Sequence, residues 1–184
     1  MTAFAQRVQD LDDHVEDWWD RWRGQLIADR IFYGASNLGD FSLIWHLVSA
    51  VRALHPRHQA VEAVRVSIII GLESLVVNQG IKRLFGRTRP GSAAQNSSQH
   101  QLRQPVTSSF PSGHASAAFT AATVMGRQSP LAPLYFALAA VVAGSRIHVR
   151  LHHASDVAGG VAVGLGLGWA ANRFSALSGQ RHKT

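Results

Sequence analysis

Long apolar stretches alternate with short polar ones along most of this chain. Residues 128–145 and 157–172 contain no charged side chain. A helix that spans a bilayer needs about 20 mostly apolar residues, so both stretches are candidate spans once their polar ends are counted. Two further apolar stretches, 31–54 and 64–81, carry polar side chains that we expect to face the bundle interior or a cavity. These side chains are Asp40, His46, Glu73 and Asn78.

The last apolar stretch favours lipid over water. Its sequence, VAGGVAVGLGLGWAAN, contains five glycines, and each would weaken a helix in water by about 1 kcal/mol relative to alanine. In a bilayer, small residues let helices approach closely. The alternative is a compact soluble α-helical enzyme with apolar core helices. We expect an all-α polytopic membrane bundle with about five spanning helices.

An amphipathic helix is predicted before these stretches. Apolar residues from Val8 to Leu26 recur every three or four positions, with most acidic residues off that stripe. Its three tryptophans suit a membrane interface, and the alternative is a helix docked on the bundle. No signal peptide is evident. The chain thus divides into an N-terminal helix (1–30), a helical bundle (31–175) and a flexible tail (176–184). The predicted helices are 7–29, 31–54, 60–84, 112–125, 131–148 and 153–174.

Charge is distributed unevenly between these parts. Residues 1–30 hold seven of the eleven acidic residues and four arginines, a net charge of −3, whereas residues 31–184 carry +10. The absence of cysteine excludes disulfides, thiolate nucleophiles and Cys-ligated metal centres. A basic nucleic-acid-binding protein would need a contiguous Lys/Arg face. Here the basic residues lie at turns and helix ends, so we expect no nucleic-acid partner.

Candidate chemistry lies at three predicted helix ends, the last of which pairs a histidine with a carboxylate. His152 and Asp156 are four residues apart, so they share a helix face. The carboxylate can accept the imidazole N–H, which leaves the other ring nitrogen free to attack or to accept a proton. Such a pair is also a common structural hydrogen bond. Arg146 strengthens the catalytic interpretation because a guanidinium binds phosphate through two N–H groups.

The other two helix ends add an anion cradle and further cations. In the segment PSGH, Ser112 can cap a helix whose backbone N–H groups at Gly113 stay open to an anion, with His114 at its mouth. The alternative is an ordinary helix start. Lys82 is one of two lysines in the chain and, with Arg89, lies in KRLFGRTRP. The alternative for Lys82 is a positive flank of the preceding helix.

Helical spacing brings these ends together. Each histidine begins a stripe of small side chains at steps of four, and facing stripes would place both histidines at one end of the bundle. Counting spans brings the lysine and two arginines to the same end. The sequence therefore predicts a phosphate site without a metal. The stripes are His114, Ala118, Ala122 and Gly126 on one helix, and His152, Asp156, Gly160, Gly164 and Gly168 on another.

The three motifs closely resemble the signature of the type 2 phosphatidic acid phosphatase (PAP2) superfamily, which also includes vanadium haloperoxidases. Its elements K-x6-R-P, P-S-G-H and S-R-x5-H-x3-D are complete here, at 82–90, 111–114 and 145–156. The resemblance covers about residues 36–173. It implies that His152 is a nucleophile forming a phosphohistidine. The other implied roles are Asp156 as its orienter, His114 as general acid and then base, and Lys82, Arg89, Ser112, Gly113 and Arg146 as phosphate ligands.

The resemblance also implies an activity and a location. We expect a multi-pass lipid phosphate phosphatase of the plasma or inner membrane, with an extracytoplasmic site and no cofactor. Phosphatidic acid, phosphatidylglycerophosphate and polyprenyl phosphates or pyrophosphates would all suit the site, and residues 91–110 are expected to contribute to selectivity. Membrane members commonly have six spans, and the acidic N-terminal helix stands in place of the first. A vanadate-dependent haloperoxidase-like enzyme is an alternative, although such family members are soluble and much longer.

Overall fold

The structure, a computed structural model, describes residues 2–54, 60–90 and 107–181, with side chains up to residue 175. Within these ranges every regular element is helical, which confirms the all-α prediction. The helices are α1 (Ala3–Asp20), α2 (Leu26–Gly39), α3 (Leu43–Ala53), α4 (Ala60–Leu75), α5 (Gly113–Gly126), α6 (Ala132–His148) and α7 (Ala154–Arg181).

Two predicted helices are interrupted, and both predictions are corrected. The stretch 7–29 is shared between α1 and α2, which meet at a turn where Gly24 has a φ of +79°. The stretch 31–54 is divided between α2 and α3 by a single 3-10 turn, Asp40–Ser42, whose second and third residues have φ values of 52° and 57°. Positive φ is uncommon for residues other than glycine, and hydrophobic periodicity does not reveal it.

The later helices lie close to their predicted positions. Helices α5 and α6 agree with 112–125 and 131–148 to within one residue. A π-helical turn and a 3-10 turn continue α4 to Leu84, the predicted end. Helix α7 ends seven residues later than expected, at Arg181. The last residues of the predicted tail, 182–184, lie outside the described residues.

Helix α5 lies at the centre of the bundle, against α3, α4, α6 and α7. Most of its side chains are buried, and their small size lets the neighbouring helices approach on every side. The core around it includes Trp45 of α3, Ile70 of α4, and Tyr135 and Val142 of α6. This central position explains why the segment is rich in alanine and serine.

The glycine stripe of α7 packs directly against α5. A Cβ atom at Gly160 would collide with the carbonyl oxygen of Ser112, and the same collision recurs one turn later between Gly164 and Ser116. The prediction of a close α5–α7 contact is therefore confirmed. The predicted α5 stripe is wrong, because the alanines that follow His114 at steps of four face the core shared with α3, α4 and α6.

The acidic helix α1 docks across the C-terminal end of α6 and the N-terminal end of α7. Asp20 and Glu16 pair with Arg150 at 2.8 and 3.2 Å. The Trp19 indole N–H donates a hydrogen bond of 3.0 Å to His148 Nδ1. Two acidic residues of α1 thus neutralise a basic residue at this end of the bundle, as the docked alternative expects. Phe4, Leu11 and Trp18 of α1 are exposed, and so is Trp22 in the turn that follows the helix.

Among the described residues, one helical segment is long and apolar enough to cross a bilayer. It is Ala154–Ser175 of α7, with 22 residues and a mean hydropathy of 1.2. Helix α6 is apolar but has 17 residues, fewer than the about 20 that a straight span needs. The count of five spans therefore stays a prediction.

Candidate active site

A single open cavity of about 1140 Å³ gathers most of the predicted site residues at one end of the bundle. Lys82 and Arg89 enter it from the segment after α4, Gly113 and His114 from the start of α5, Arg146 from the end of α6 and His152 from the turn before α7. Six of the eight predicted residues line this cavity: Lys82, Arg89, Gly113, His114, Arg146 and His152. The other two, Ser112 and Asp156, lie immediately behind its wall with no exposed surface.

His152 presents one ring nitrogen to a guanidinium. Arg89 Nη1 lies 3.1 Å from His152 Nε2 and donates a 2.8 Å hydrogen bond to the Leu151 carbonyl oxygen. Because a guanidinium can only donate, we assign Nε2 as the acceptor and place the ring proton on Nδ1. Nε2 therefore carries its lone pair towards the cationic side of the site.

The other ring nitrogen of His152 faces Asp156. The distance from Nδ1 to Asp156 Oδ2 is 3.7 Å, which is longer than a hydrogen bond. The same Oδ2 accepts a 2.9 Å hydrogen bond from the His153 backbone N–H. The two side chains are therefore neighbours, but His152 lies in the turn before α7 and not on the helix, so the predicted shared helix face is wrong. The hydrogen bond that the spacing suggested is not formed in this arrangement.

Burial dominates the electrostatics of His152. It lowers the pKa of the imidazole to about 3. Asp156 opposes this shift, while the positive charges of Arg89, Arg146 and Lys82 add to it. The imidazole is consequently neutral at physiological pH, and its lone pair is available for attack.

Lys82 and Arg146 add two buried cations to the cavity. The Lys82 Nζ atom lies 3.6 Å from the position that a Cβ atom on Gly113 would occupy, so the ammonium stands over the first turn of α5. Arg146 Nη1 donates a 2.5 Å hydrogen bond to Ser36 Oγ, and its Nε is buried without a hydrogen-bond partner. An anion in the cavity would meet both side chains and the N-terminus of α5.

Ser112 acts as the N-cap of α5. Its Oγ accepts from the Ala115 backbone N–H at 3.5 Å, and its own backbone N–H donates 2.9 Å to the Asp156 carbonyl oxygen. The second bond connects the start of α5 to the start of α7. The Ser112 hydroxyl therefore caps a helix, which is the alternative that the sequence left open. A contact between this hydroxyl and phosphate stays a prediction.

His114 lies at the mouth of α5 against the break between α2 and α3. Its Nε2 is 2.9 Å from Asp40 Oδ1, and its ring packs on Gly39, where a Cβ atom would come within 2.7 Å of Cδ2. A glycine here lets the imidazole approach the backbone. The interrupted helix therefore supplies a carboxylate partner for His114 that the motif pattern alone did not indicate.

A polar wall continues the cavity between α3 and α4. The polar residues of the two apolar stretches 31–54 and 64–81 were predicted to face the bundle interior or a cavity, and this prediction is confirmed. All four line the cavity: Asp40, His46, Glu73 and Asn78. His46 Nδ1 and Ser67 Oγ are 2.9 Å apart. Glu73 is buried and its Oε1 has no hydrogen-bond partner. The predicted selectivity segment 91–110 lies mainly outside the described residues, apart from its end, where Thr107 and Ser108 line the cavity.

Two residues near the site were missed by motif reasoning. Arg87 bonds to Asp156 Oδ1 at 2.7 Å and to Asp12 Oδ2 at 2.6 Å. Arg87 lies within the KRLFGRTRP segment but between its signature positions, and Asp12 is one of several acids on α1. No spacing rule could connect Asp12 with residues more than 140 positions away along the chain.

Comparisons with known proteins agree with the motif resemblance. Residues 62–179 match the family model of the PAP2 superfamily, a range that includes every predicted site residue. Two similar proteins are the decaprenylphosphoryl-5-phosphoribose phosphatases of two Mycobacterium tuberculosis strains. Each is 34% identical over 139 residues, which covers 73% of this chain and 73% of the relative.

Two crystal structures share the fold. One is a transmembrane PAP2 type phosphatidylglycerolphosphate phosphatase from Bacillus subtilis, with a TM-score of 0.70, 22% identity, and coverage of 92% of this chain and 87% of that chain. The other is LpxE from Aquifex aeolicus, with a TM-score of 0.68, 25% identity, and coverage of 89% and 95%.

Proposed function

The chain belongs to the PAP2 superfamily, among its phosphatases, and from that membership we propose that it is an integral-membrane lipid phosphate phosphatase that forms a phosphohistidine. One observation carries the proposal. A buried, neutral His152 with its Nε2 lone pair towards Arg89 opens onto the same cavity as Lys82 and Arg146. Phosphoryl transfer depends mainly on positioning and charge neutralisation, and three cations beside one nucleophile supply both.

The proposed first step transfers the phosphoryl group to His152. Nε2 attacks phosphorus, the bond between phosphorus and the leaving oxygen breaks, and His114 donates a proton to that oxygen. The phosphoryl oxygens replace Nε2 as acceptors for the Arg89 N–H groups. Asp156, beside Nδ1, stabilises the positive charge that develops on the ring.

The second step releases phosphate. His114, now unprotonated, accepts a proton from water, and the water oxygen attacks the phosphohistidine. The bond between Nε2 and phosphorus breaks, which gives inorganic phosphate and neutral His152. We propose that no metal takes part, because Lys82, Arg89 and Arg146 already place positive charge around the phosphoryl oxygens.

The polar wall supports a substrate whose leaving alcohol carries further hydroxyl groups. A sugar or glycerol phosphate linked to a lipid would extend from the phosphate site towards His46, Ser67 and Glu73. The names of two similar proteins describe such substrates, a phosphorylated ribose and a phosphorylated glycerol, each attached to a lipid. Phosphatidic acid and prenyl pyrophosphates have no headgroup hydroxyl to meet this wall.

The outer surface supports a multi-pass membrane location. Large apolar side chains on α2, α3, α4 and α7 face outwards, which on a soluble protein would form unusually extensive apolar patches. We propose that these helices, with α6, cross or enter the bilayer, and that the active-site end is extracytoplasmic. The exposed side chains include Ile27, Ile31, Leu38, Leu47, Val51, Val64, Ile68, Leu72, Leu165, Trp169 and Phe174.

A panel of lipid phosphates tests the proposal with purified protein in detergent. We expect phosphate release to be fastest with polyprenylphosphoryl phosphoribose or phosphatidylglycerophosphate, and slower with phosphatidic acid or polyprenyl pyrophosphate. Equal rates on all four would contradict the headgroup proposal, and no release from any would contradict the phosphatase proposal. Halide oxidation by the vanadate-loaded protein would instead support the haloperoxidase alternative.

A further inference from the structure

Asp12 is an unusual residue for its position. It lies in the middle of α1, whose other acidic residues are at least partly exposed, yet only 2% of its surface is accessible. Both of its carboxylate oxygens are used. Oδ1 accepts from the Ser155 backbone N–H at 2.7 Å, and Oδ2 accepts from Ser155 Oγ at 2.7 Å and from Arg87 Nη2 at 2.6 Å.

Arg87 connects this carboxylate to Asp156. Its Nη1 bonds to Asp156 Oδ1 at 2.7 Å and to Ser155 Oγ at 2.6 Å, while Nη2 binds Asp12. The two carboxylate side chains have no exposed surface. Burial alone would lower the pKa of Arg87, but Asp12 and Asp156 together raise it above its ordinary value. One guanidinium thus bridges two buried carboxylates.

The two carboxylate oxygens of Asp156 have different partners. Oδ1 is held by Arg87, and Oδ2 is left to the His153 backbone N–H and to the ring of His152. Without Asp12, Asp156 would be the one carboxylate left for Arg87 among these residues. The guanidinium could then rotate towards Oδ2 of Asp156, the oxygen that faces His152. The distance from Asp156 to His152 would then no longer be fixed.

We propose that Asp12 and Arg87 are positioning residues that hold Asp156 in register with His152, so that α1 supplies part of the catalytic geometry. This inference rests on the proposed function, in which His152 is the nucleophile. It gives the N-terminal helix a role that docking alone would not require. The proposal concerns kcat, because neither residue lines the cavity that would receive the substrate.

A structural role for Asp12 has to be separated from this one. Asp12 Oδ1 also satisfies one backbone N–H group at the start of α7, that of Ser155, as a helix cap does. Ser155→Ala removes the hydroxyl bonds to Asp12 and Arg87 but keeps the backbone N–H bond and the Arg87 bridge. Ser155→Ala therefore tests the hydroxyl alone. In Asp12→Asn the side-chain oxygen can still accept from the Ser155 backbone N–H, so this variant keeps the capping bond while it loses the charged bridge to Arg87.

The central experiment is a double-mutant cycle with Asp12→Asn and Asp156→Asn, with kcat and KM measured by radiolabelled phosphate release. Asp12→Asn alone should lower kcat by about tenfold, because a small misplacement of a catalytic group slows the chemical step, with KM within about twofold. In the Asp156→Asn background the same change should cost nothing further. Asp17→Asn, an exposed acid on the same helix, is the matched control and should match the parent.

Each outcome bears on one proposal. An equal loss of kcat in both backgrounds, or an Asp12→Asn variant with unchanged kcat, would overturn the positioning role. If Asp12→Asn does not fold, Arg87→Lys replaces it, because a single ammonium cannot bridge both carboxylates as a planar fork does. Its kcat should fall by a similar factor, and wild-type kcat would overturn the proposal. Activity retained by His152→Ala would instead contradict the proposed function.

Discussion

Arg89 Nη1 lies 3.1 Å from His152 Nε2 while its other bond holds the Leu151 carbonyl oxygen. The guanidinium is therefore anchored to the backbone next to the nitrogen that is proposed to attack phosphorus. This contact orients the lone pair of the imidazole, and it also places positive charge where phosphoryl oxygens would bind. The predictions below follow from this relationship and from the packing that maintains it.

Removing the imidazole should abolish turnover without unfolding the protein. We expect His152→Ala to lose phosphatase activity by at least about 1000-fold, because the proposed covalent intermediate forms on this imidazole. Phosphate release and acid-quench trapping of the phosphoenzyme measure this. His14→Ala removes an exposed histidine on α1 and should keep both. A labelled phosphoenzyme in His152→Ala would show that the nucleophile is another residue.

The pH dependence of phosphorylation should reflect the low pKa of His152. An unperturbed histidine, with a pKa of about 6.5, would be mostly protonated at pH 5. With its pKa lowered to about 3, His152 stays neutral, so protonation should not slow the attack until the pH falls well below 5.

The test uses His114→Ala and an aryl phosphate whose leaving group needs no general acid. Single-turnover phosphorylation, corrected for the second ionisation of the substrate near pH 6, should be constant from about pH 5 to 7. A decline with a midpoint near 6.5 would indicate that His152 titrates as an ordinary histidine.

Close packing of α7 on α5 should be sensitive to one methyl group. A Cβ atom at Gly164 collides with the Ser116 carbonyl oxygen and lies 3.1 Å from Phe119 Cβ. Backbone atoms cannot move aside easily, so we expect Gly164→Ala to lower the free energy of unfolding by about 1–3 kcal/mol. Gly166, which has nothing within 4 Å, is the control. Thermal unfolding in detergent should separate the two, and equal midpoints would argue against this packing.

Inhibition should distinguish cation-based from metal-based catalysis. If Lys82, Arg89 and Arg146 neutralise the phosphoryl charge, chelators should leave the rate unchanged. Vanadate, which adopts the five-coordinate geometry of the transferring phosphorus, should compete with substrate. Steady-state kinetics with each compound measure both effects. Loss of activity in EDTA that is restored by one divalent cation would contradict the proposal of a metal-independent enzyme.

Labelling of introduced cysteines should reveal the orientation. The chain contains no cysteine, so a single Gly86→Cys or Gln128→Cys substitution creates one reporter. Gly86 lies near the active site, and Gln128 lies beyond the far end of α5, about 20 Å along the helix. In intact cells, a membrane-impermeant maleimide should label the first and not the second. The opposite pattern would place the site in the cytoplasm.

Much of the site could be recognised from spacing alone. His152 and Asp156 are four residues apart, so they come close together if α7 begins near them. The PSGH segment marks the start of α5, because serine caps helices and proline often stands at their start. Polar residues in apolar stretches, such as Glu73, were expected to face an interior or a cavity because apolar surroundings would not solvate them. These inferences depend on local geometry, which periodicity describes well.

Other features depended on contacts between distant segments. The break at Asp40–Ser42 follows from backbone conformation and gives His114 a carboxylate partner, which no apolar pattern encodes. The face of α5 that meets the α7 glycines was predicted incorrectly, because α5 is small and buried on nearly all sides and so offers several equivalent stripes.

The sequence by itself determined the helical class, the family signature and most of the residues that line the cavity proposed to bind phosphate. Only the tertiary structure decided which acidic residue of α1 is buried and what it touches. Asp12 and Ser155 are 143 positions apart, and several acids along α1 look equivalent in the sequence. Their difference arises when α1 docks, because a carboxylate removed from water must find cationic or N–H partners, and at Asp12 those partners are Arg87 and the start of α7.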